Sequence, residues 1–94
     1  MTILRIEHKV PNFDGWKKAF DSDPMGRQKS GVRRYNIFRP ADDANYVIID
    51  LEFDNVSDAE TMLAALRKLW QRVEGQVMFN PQTRILDVTE SVTY

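Results

Sequence analysis

The first residues of the chain alternate between two classes of side chain, as in a β-strand with one buried face. One face of residues 2–10 carries Leu4, Ile6, His8 and Val10. The other face is mostly charged, so a period of two residues predicts a strand here. Pro11 ends this strand, because proline donates no hydrogen bond to a ladder.

An apolar stripe with helical spacing comes next. It consists of Phe13, Trp16 and Phe20. The stripe predicts a helix over residues 13–21, with Asn12 as its N-cap. Asp23 and Pro24 then place a capping residue before a proline, which predicts a short helix or a turn that ends at Gly31.

Two more strands are predicted on either side of a turn. Residues 32–39 and 46–54 favour strands, and residues 42–45 between them have turn composition. The third strand is apolar on one face, at Val47, Ile49, Leu51 and Phe53. Tyr46 and Ile48 make its opposite face apolar as well, whereas a sheet with one solvated face alternates more cleanly.

The remaining elements are a second helix and a last strand. Ser57 and Glu60 have the spacing of a capping box, with Ser57 as the N-cap. The helix that follows has a broad apolar face made of Met62, Leu63, Leu66, Leu69, Trp70 and Val73. Gly75 is its natural end. Residues 76–82 then form a loop, and residues 83–93 form the last strand.

The element order is βαββαβ, the split βαβ or ferredoxin-like arrangement of an α+β domain. It predicts a four-stranded antiparallel sheet with strands one and three in the centre and both helices on one face. The two-sided apolar third strand predicts that the other face is covered, and a second copy of the chain is the economical cover. Asp50 and Glu52 share that face, so the sheet-to-sheet interface of this homodimer has to be wet or partly polar.

Composition narrows the possible functions. The chain has 94 residues, 13 basic and 14 acidic, which gives a net charge of −1 and predicts one domain over residues 1–94. A charge so close to zero argues against nucleic acids and anionic membranes as partners. The absence of cysteine excludes disulfides, a thiol nucleophile and zinc-thiolate sites. The N-terminus carries no signal-like segment and no apolar run could span a membrane, so we expect a cytoplasmic protein.

Three stretches of the chain carry a family resemblance: residues 10–21, residues 31–35, and residues 42–54 with their VIIDLEFD strand. Nearly the whole chain resembles the dimeric α/β-barrel superfamily, in particular small bacterial proteins related to antibiotic-biosynthesis-monooxygenase-like domains. The resemblance implies a two-fold dimer whose sheets form a barrel. It also implies a small-molecule pocket, often between sheet and helices. The possible activities are cofactor-independent oxygenation of quinol-like substrates, haem degradation, and isomerisation or dehydration of small organic molecules. Fold alone does not choose among these activities.

His8 is the candidate catalytic residue. It is the only histidine, and histidine titrates near neutral pH without a large shift of its pKa. It shares a strand face with Leu4 and Ile6, so it can point into the predicted pocket and act as a general acid or base. The structural alternative is a partly exposed histidine at the end of a strand. Haem ligation is not carried over, because the haem-degrading relatives use a histidine on a helix.

The candidate ligand contacts are Trp16, Arg34, Tyr35, Trp70 and Phe79. The tryptophans suit a planar ligand, although core packing also explains them. Arg34 or Tyr35 would polarise a substrate oxygen. The favoured alternative pairs Arg33 or Arg5 with acidic residues on the dimer-facing surface. Phe79 belongs to a segment, residues 78–81, that is either a lid or an ordinary connection.

No metal site is predicted. The acidic pairs Asp21/Asp23 and Asp42/Asp43 lack a partner histidine or the spacing of a calcium loop, and capping and turn formation explain them.

Taken together, the fold, the resemblance and the candidate residues predict a homodimer that binds a small, largely apolar organic molecule. If it is an enzyme, the resemblance implies a monooxygenase-like or isomerase-like reaction without metal or flavin. The rival hypothesis is a non-enzymatic dimerisation or regulatory module whose core is filled by its own side chains.

Overall fold

A computed structural model describes residues 1–73 and 78–94 of the chain. Its elements are β1 (Thr2–Lys9), α1 (Phe13–Asp21), β2 (Arg34–Phe38), β3 (Tyr46–Phe53), α2 (Val56–Val73) and β4 (Phe79–Asp87). The four strands form one antiparallel sheet in the order β2-β3-β1-β4. The predicted ferredoxin-like fold is confirmed, with β1 and β3 in the centre. The predicted helix end at Gly75 and the start of the loop at Gln76 lie outside the described residues.

The core lies between the two helices and one face of the sheet, called here the helix face. The register pairs Leu4 with Leu51 and His8 with Val47, so the apolar positions of β1 and β3 share this face. Both helices supply large buried side chains to the same core: Trp16 from α1, and Met62, Leu63 and Trp70 from α2. The other face, called here the open face, carries the intervening residues of each strand.

The two helices begin at asparagines. The Asn12 side chain accepts a hydrogen bond from the Gly15 N–H (2.7 Å), as predicted. At α2 the prediction of Ser57 as N-cap is wrong, because the Asn55 side chain accepts the Asp58 N–H (2.8 Å) and the helix begins at Val56. Asparagine caps a helix as well as serine does, and here it comes two residues earlier.

The segment between α1 and β2 contains turns, so the turn alternative for Asp23 and Pro24 is confirmed. Asp23 has a φ of +52°, and its side chain accepts the Arg27 N–H (2.9 Å). Gly31 has a φ of +99°, a left-handed conformation that glycine adopts without steric cost. Strand β2 starts only at Arg34, two residues later than predicted.

The last strand differs most from the prediction. It covers Phe79–Asp87, so residues 79–82 belong to the strand rather than to a loop or lid, and residues 88–94 have no regular structure. Pro81 is tolerated because β4 is an edge strand, where one row of backbone groups has no ladder partner. Asn80 has a φ of +54°, and the register with β1 shifts between Glu7 and Lys9.

Candidate functional site

A cavity of about 300 Å³ lies between the helix face of the sheet and the two helices. Its wall is mainly apolar and aromatic, and includes Ile6, Trp16, Phe20, Leu51, Leu66 and Trp70. His8, Asp23 and Arg27 are its ionisable lining residues. The exposed residues Ser22 and Pro24 also line it, so the turn after α1 marks a side on which it reaches the surface. A concave apolar site with a few polar groups is typical of small-molecule binding, and this volume is at the lower end of that class.

His8 lies in the wall of this cavity and is 3% exposed. Its Nδ1 lies 3.1 Å from the Lys9 carbonyl oxygen. A carbonyl only accepts, so Nδ1 carries the proton in the neutral ring and Nε2 keeps a free lone pair. The edge of the ring packs against Trp16, with 5.9 Å between centroids.

Burial sets the protonation state of His8. Desolvation of the imidazolium lowers the pKa of His8 from its ordinary value of 6.5, and the hydrogen bond with the Lys9 carbonyl opposes this only in part. The side chain is therefore neutral at physiological pH. With Nδ1 committed to a carbonyl, Nε2 is the atom that can accept a proton from a molecule in the cavity.

The lowered pKa of His8 makes stability depend on pH. Between the pKa of the folded state and 6.5, the unfolded chain binds a proton that the folded chain does not. The contribution of His8 is therefore fully present above pH 6.5 and is lost as the pH falls through the folded-state pKa. We expect the free energy of unfolding, measured by urea denaturation at fixed protein concentration, to rise between pH 5 and 7.5. His8→Asn should flatten this rise, and a rise of equal size in the variant would contradict the assignment.

The structure brings two of the predicted ligand contacts, Trp16 and Trp70, to the cavity beside His8. Both tryptophans are buried and also belong to the hydrophobic core, so packing and ligand contact are combined in the same side chains. Tyr35 is on the helix face of β2 but contacts Phe20 (5.1 Å between centroids) and lines a separate polar cleft. Tyr35 therefore does not line the cavity itself, although it contacts Phe20, which does.

The structure does not bring Arg34 and Phe79 to the cavity. Arg34 points to the open face, where its Nε donates to the Glu52 carboxylate (2.8 Å). Neighbouring residues of a strand point to opposite faces, so Tyr35 and Arg34 cannot both face the helices. Phe79 is 39% exposed at the start of β4, and Met78 beside it lines the cavity instead.

Sequence reasoning missed Arg27, which lines the cavity from the turn between α1 and β2. Its guanidinium carbon lies 3.9 Å from the centre of the Phe20 ring. A turn has no periodic pattern of polar and apolar residues, so the sequence gives no sign of which way a side chain points there. Arg27 can therefore be recognised as a cavity residue only from the folded structure of the turn.

The open face combines apolar side chains with neutralised charges. Arg5 holds both carboxylate oxygens of Asp50 (2.8 and 2.9 Å), which confirms the predicted pairing of Arg5. Arg33, the alternative to Arg5 in that prediction, does not take part, because it binds Asp54 (2.7 Å) beyond the end of β3. Tyr46 donates a hydrogen bond to Glu7 (2.7 Å), and this bond is the main reason that the pKa of Tyr46 is raised.

Apolar residues lie between these pairs. Ile3, Ile48 and Leu86 are half-buried and Phe38 is 46% exposed. Asp50 and Glu52 are each only 8% exposed even in the single chain, in which none of the described elements covers this face. Because both carboxylates are paired with arginines, a second copy of the chain can cover this face without burying an unpaired charge.

Three residues of the acidic pairs, Asp21, Asp23 and Asp43, have structural roles. Asp21 binds Lys17 (2.6 Å) one helical turn away, and Asp43 accepts the Asn45 N–H (2.9 Å) in the hairpin turn. In the part of the chain that the structure describes, no three histidine or acidic residues come close enough to hold a metal ion. Nor does either described helix have the length and apolar character needed to cross a membrane.

Comparison with known proteins rests on structure alone. No protein-family model matches the chain, and no curated protein matches its sequence. The cofactor-independent oxygenase SnoaB of Streptomyces nogalater superimposes with a TM-score of 0.77 at 9% identity, over 99% of this chain and 97% of that one. A Deinococcus radiodurans protein provisionally assigned as an antibiotic biosynthesis monooxygenase gives 0.70 at 12% identity, over 100% and 98%.

A third similar structure is a dimeric ferredoxin-like protein from an uncultured marine organism, with a TM-score of 0.69, 9% identity and full coverage of both chains. Identities this low establish the fold and leave the reaction open. The resemblance found in the sequence is thus confirmed at the level of the fold: the chain has the ferredoxin-like fold of antibiotic-biosynthesis-monooxygenase-like proteins.

Proposed function

We propose that the chain is a homodimer that binds a small, largely apolar organic molecule between its sheet and its two helices. One observation carries this proposal: an apolar cavity of about 300 Å³ contains a neutral histidine whose Nε2 has a lone pair available. A protein interior packed at normal density has few voids larger than a water molecule. The volume therefore favours a ligand site over the rival hypothesis of a filled core.

The proposed chemistry starts with proton transfer to His8 Nε2 from an acidic C–H or O–H of the bound molecule. In an isomerase-like reaction His8 returns the proton to another atom of the substrate. In a monooxygenase-like reaction the substrate anion reduces O₂: a CH₂ group becomes C=O, and the second oxygen atom leaves as water with the two hydrogens. SnoaB is described as a cofactor-independent oxygenase, which supports the second reaction. Neither reaction requires a metal or a flavin.

The proposed dimer uses the open face. Half-buried Ile3, Ile48 and Leu86 and exposed Phe38 supply apolar surface there, and its buried carboxylates are already paired. The described chain has no element on this side of the sheet, and two copies related by a two-fold axis would cover each other. The marine ferredoxin-like protein is described as dimeric, which supports a dimer for this chain as well.

Filling the cavity should weaken ligand binding without unfolding the protein. Ala19 lines the cavity from α1, so Ala19→Phe places a ring in the space that a ligand would use. We expect the wild type to bind 2-naphthamide, a neutral two-ring probe, and the variant to lose at least about tenfold in affinity because the two rings compete for one volume. Quenching of the fluorescence of Trp16 and Trp70 measures the binding.

Ala64→Phe is the matched control, since Ala64 is exposed on α2 and lies outside the cavity wall. It should bind 2-naphthamide as the wild type does. Equal affinity of the two variants would show that the probe binds elsewhere. Absence of binding to the wild type across a panel of two-ring probes would favour the filled-core hypothesis.

A further inference from the structure

Arg27 is a fixed cation at the wall of an apolar cavity. Its side chain is only 17% exposed, and its guanidinium carbon lies 3.9 Å from the centre of the Phe20 ring and 5.0 Å from that of Tyr35. Nη1 donates to the Phe20 carbonyl oxygen (2.8 Å). Stacking and hydrogen bonding together hold the guanidinium in one place, so a ligand need not order it on binding.

The backbone of the turn builds this position. Asp23 and Gly26 both have positive φ, and the Asp23 side chain accepts the Arg27 N–H. Asp23 also lies 3.5 Å from Nη1 of Arg27, a distance at which an ion pair is loose. The carboxylate thus makes its shorter hydrogen bond to the backbone of the turn and neutralises the guanidinium only in part.

The guanidinium retains unused hydrogen-bond donors. It has five N–H groups, and the hydrogen bond and the ion pair found for it in residues 1–73 and 78–94 both involve Nη1. Nε and Nη2 form the edge that binds a carboxylate with two parallel hydrogen bonds. A largely buried and partly paired cation is stabilised when an anion completes its shell.

Arg27 also lies where two cavities meet. On one side is the apolar cavity with His8, and on the other is a polar cleft of about 440 Å³ that Gln28, Arg33 and Tyr35 line. Asp23 and Arg27 belong to both walls. An amphipathic ligand can therefore place its apolar body in the cavity and its charged end at Arg27.

We propose that Arg27 is the anion-recognising residue of this site, and that the ligand is a small apolar acid whose carboxylate binds the Arg27 guanidinium edge. The inference rests on the proposed function, because it assumes that the apolar cavity accepts a ligand. It adds the chemical class of that ligand and the residue that selects it.

The test compares two probes that share their rings and differ in charge. 2-Naphthoate carries a carboxylate, and 2-naphthamide is its neutral counterpart. Calorimetric titration of the wild-type protein should give about tenfold or greater preference for 2-naphthoate, since hydrogen bonds between charged groups are the stronger ones. Arg27→Gln should lose this preference and keep its affinity for 2-naphthamide, and Arg27→Lys should keep part of it.

Arg72→Gln is the control. Arg72 is exposed on α2 and lies outside the cavity wall, so this substitution removes the same charge without changing the cavity. It should retain the preference. Equal affinity of the wild type for both probes, or an undiminished preference in Arg27→Gln, would overturn the role of Arg27 and leave the cavity as a ligand site. Failure of both probes to bind would overturn the proposed function as well. If Arg27→Gln does not fold, the wild-type comparison and Arg27→Lys decide the question.

Discussion

Replacing His8 by asparagine is expected to lower turnover by about 10²–10⁴-fold, the usual contribution of a general base. Asparagine can still donate to the Lys9 carbonyl but cannot take a proton. Isomerase-like and monooxygenase-like reactions both begin with proton removal, so two assays cover them. Deuterium incorporation into a substrate C–H in D₂O reports the first step, and O₂ consumption with quinol-like compounds reports oxygenation.

Binding separates the chemical role of His8 from a structural one. His8→Asn should bind 2-naphthamide with nearly wild-type affinity, because the rest of the apolar wall is unchanged. In the wild type the rate should fall at acidic pH as Nε2 of His8 becomes protonated, and any residual rate of the variant should lack that step. A variant that binds the probe and turns over substrate at the wild-type rate would remove His8 from the mechanism.

Placing a lysine at Ile48 is expected to convert the proposed dimer into a monomer. Ile48 lies on the open face beside Glu7 in the sheet register, so Ile48→Lys can pair with Glu7 in the isolated chain and need not disturb the fold. In the dimer each copy buries the new charge, and a desolvated ion costs several kcal/mol. We expect the dissociation constant of the dimer to rise by about 100-fold or more, measured by sedimentation equilibrium.

Ala64→Lys introduces the same charge on the exposed side of α2, away from the open face. This variant should remain dimeric. A wild-type protein that sediments as a monomer at micromolar concentration would contradict the dimer directly. Dimerisation of Ile48→Lys at wild-type strength would place the interface on another surface.

The parts of the fold that the sequence predicts well are those with long periodic patterns. Strands β1 and β3 are each eight residues long and pair along their whole length, and the apolar residues at every second position identify the face that packs against the helices. The edge strands β2 and β4 have one partner each, and both of their limits differ from those that the sequence predicts. β4 begins just before Asn80 and Pro81, two residues with low strand propensity. The start of this strand therefore depends on tertiary pairing with β1 rather than on local propensity.

The candidate site shows the same difference between residues on periodic elements and residues on edge strands or turns. His8, Trp16 and Trp70 line one cavity, and each lies on an element whose buried face follows from its period. Arg34 and Tyr35 depended on a strand register that a one-residue slip reverses. Arg27 lies in a turn held by one Asp23 side chain, and no periodic rule reports such an arrangement.

A titration of ¹⁵N-labelled protein with 2-naphthamide tests whether the cavity around His8 is a ligand site. The chain has only two tryptophans, so two indole N–H signals can be assigned with a single Trp70→Phe variant. We expect both indole signals and the His8 backbone signal to shift with one common dissociation constant, while the backbone signals of Arg84 and Leu86 on the open face do not shift. Saturable shifts confined to the open face, with unchanged tryptophan signals, would contradict a ligand site around His8.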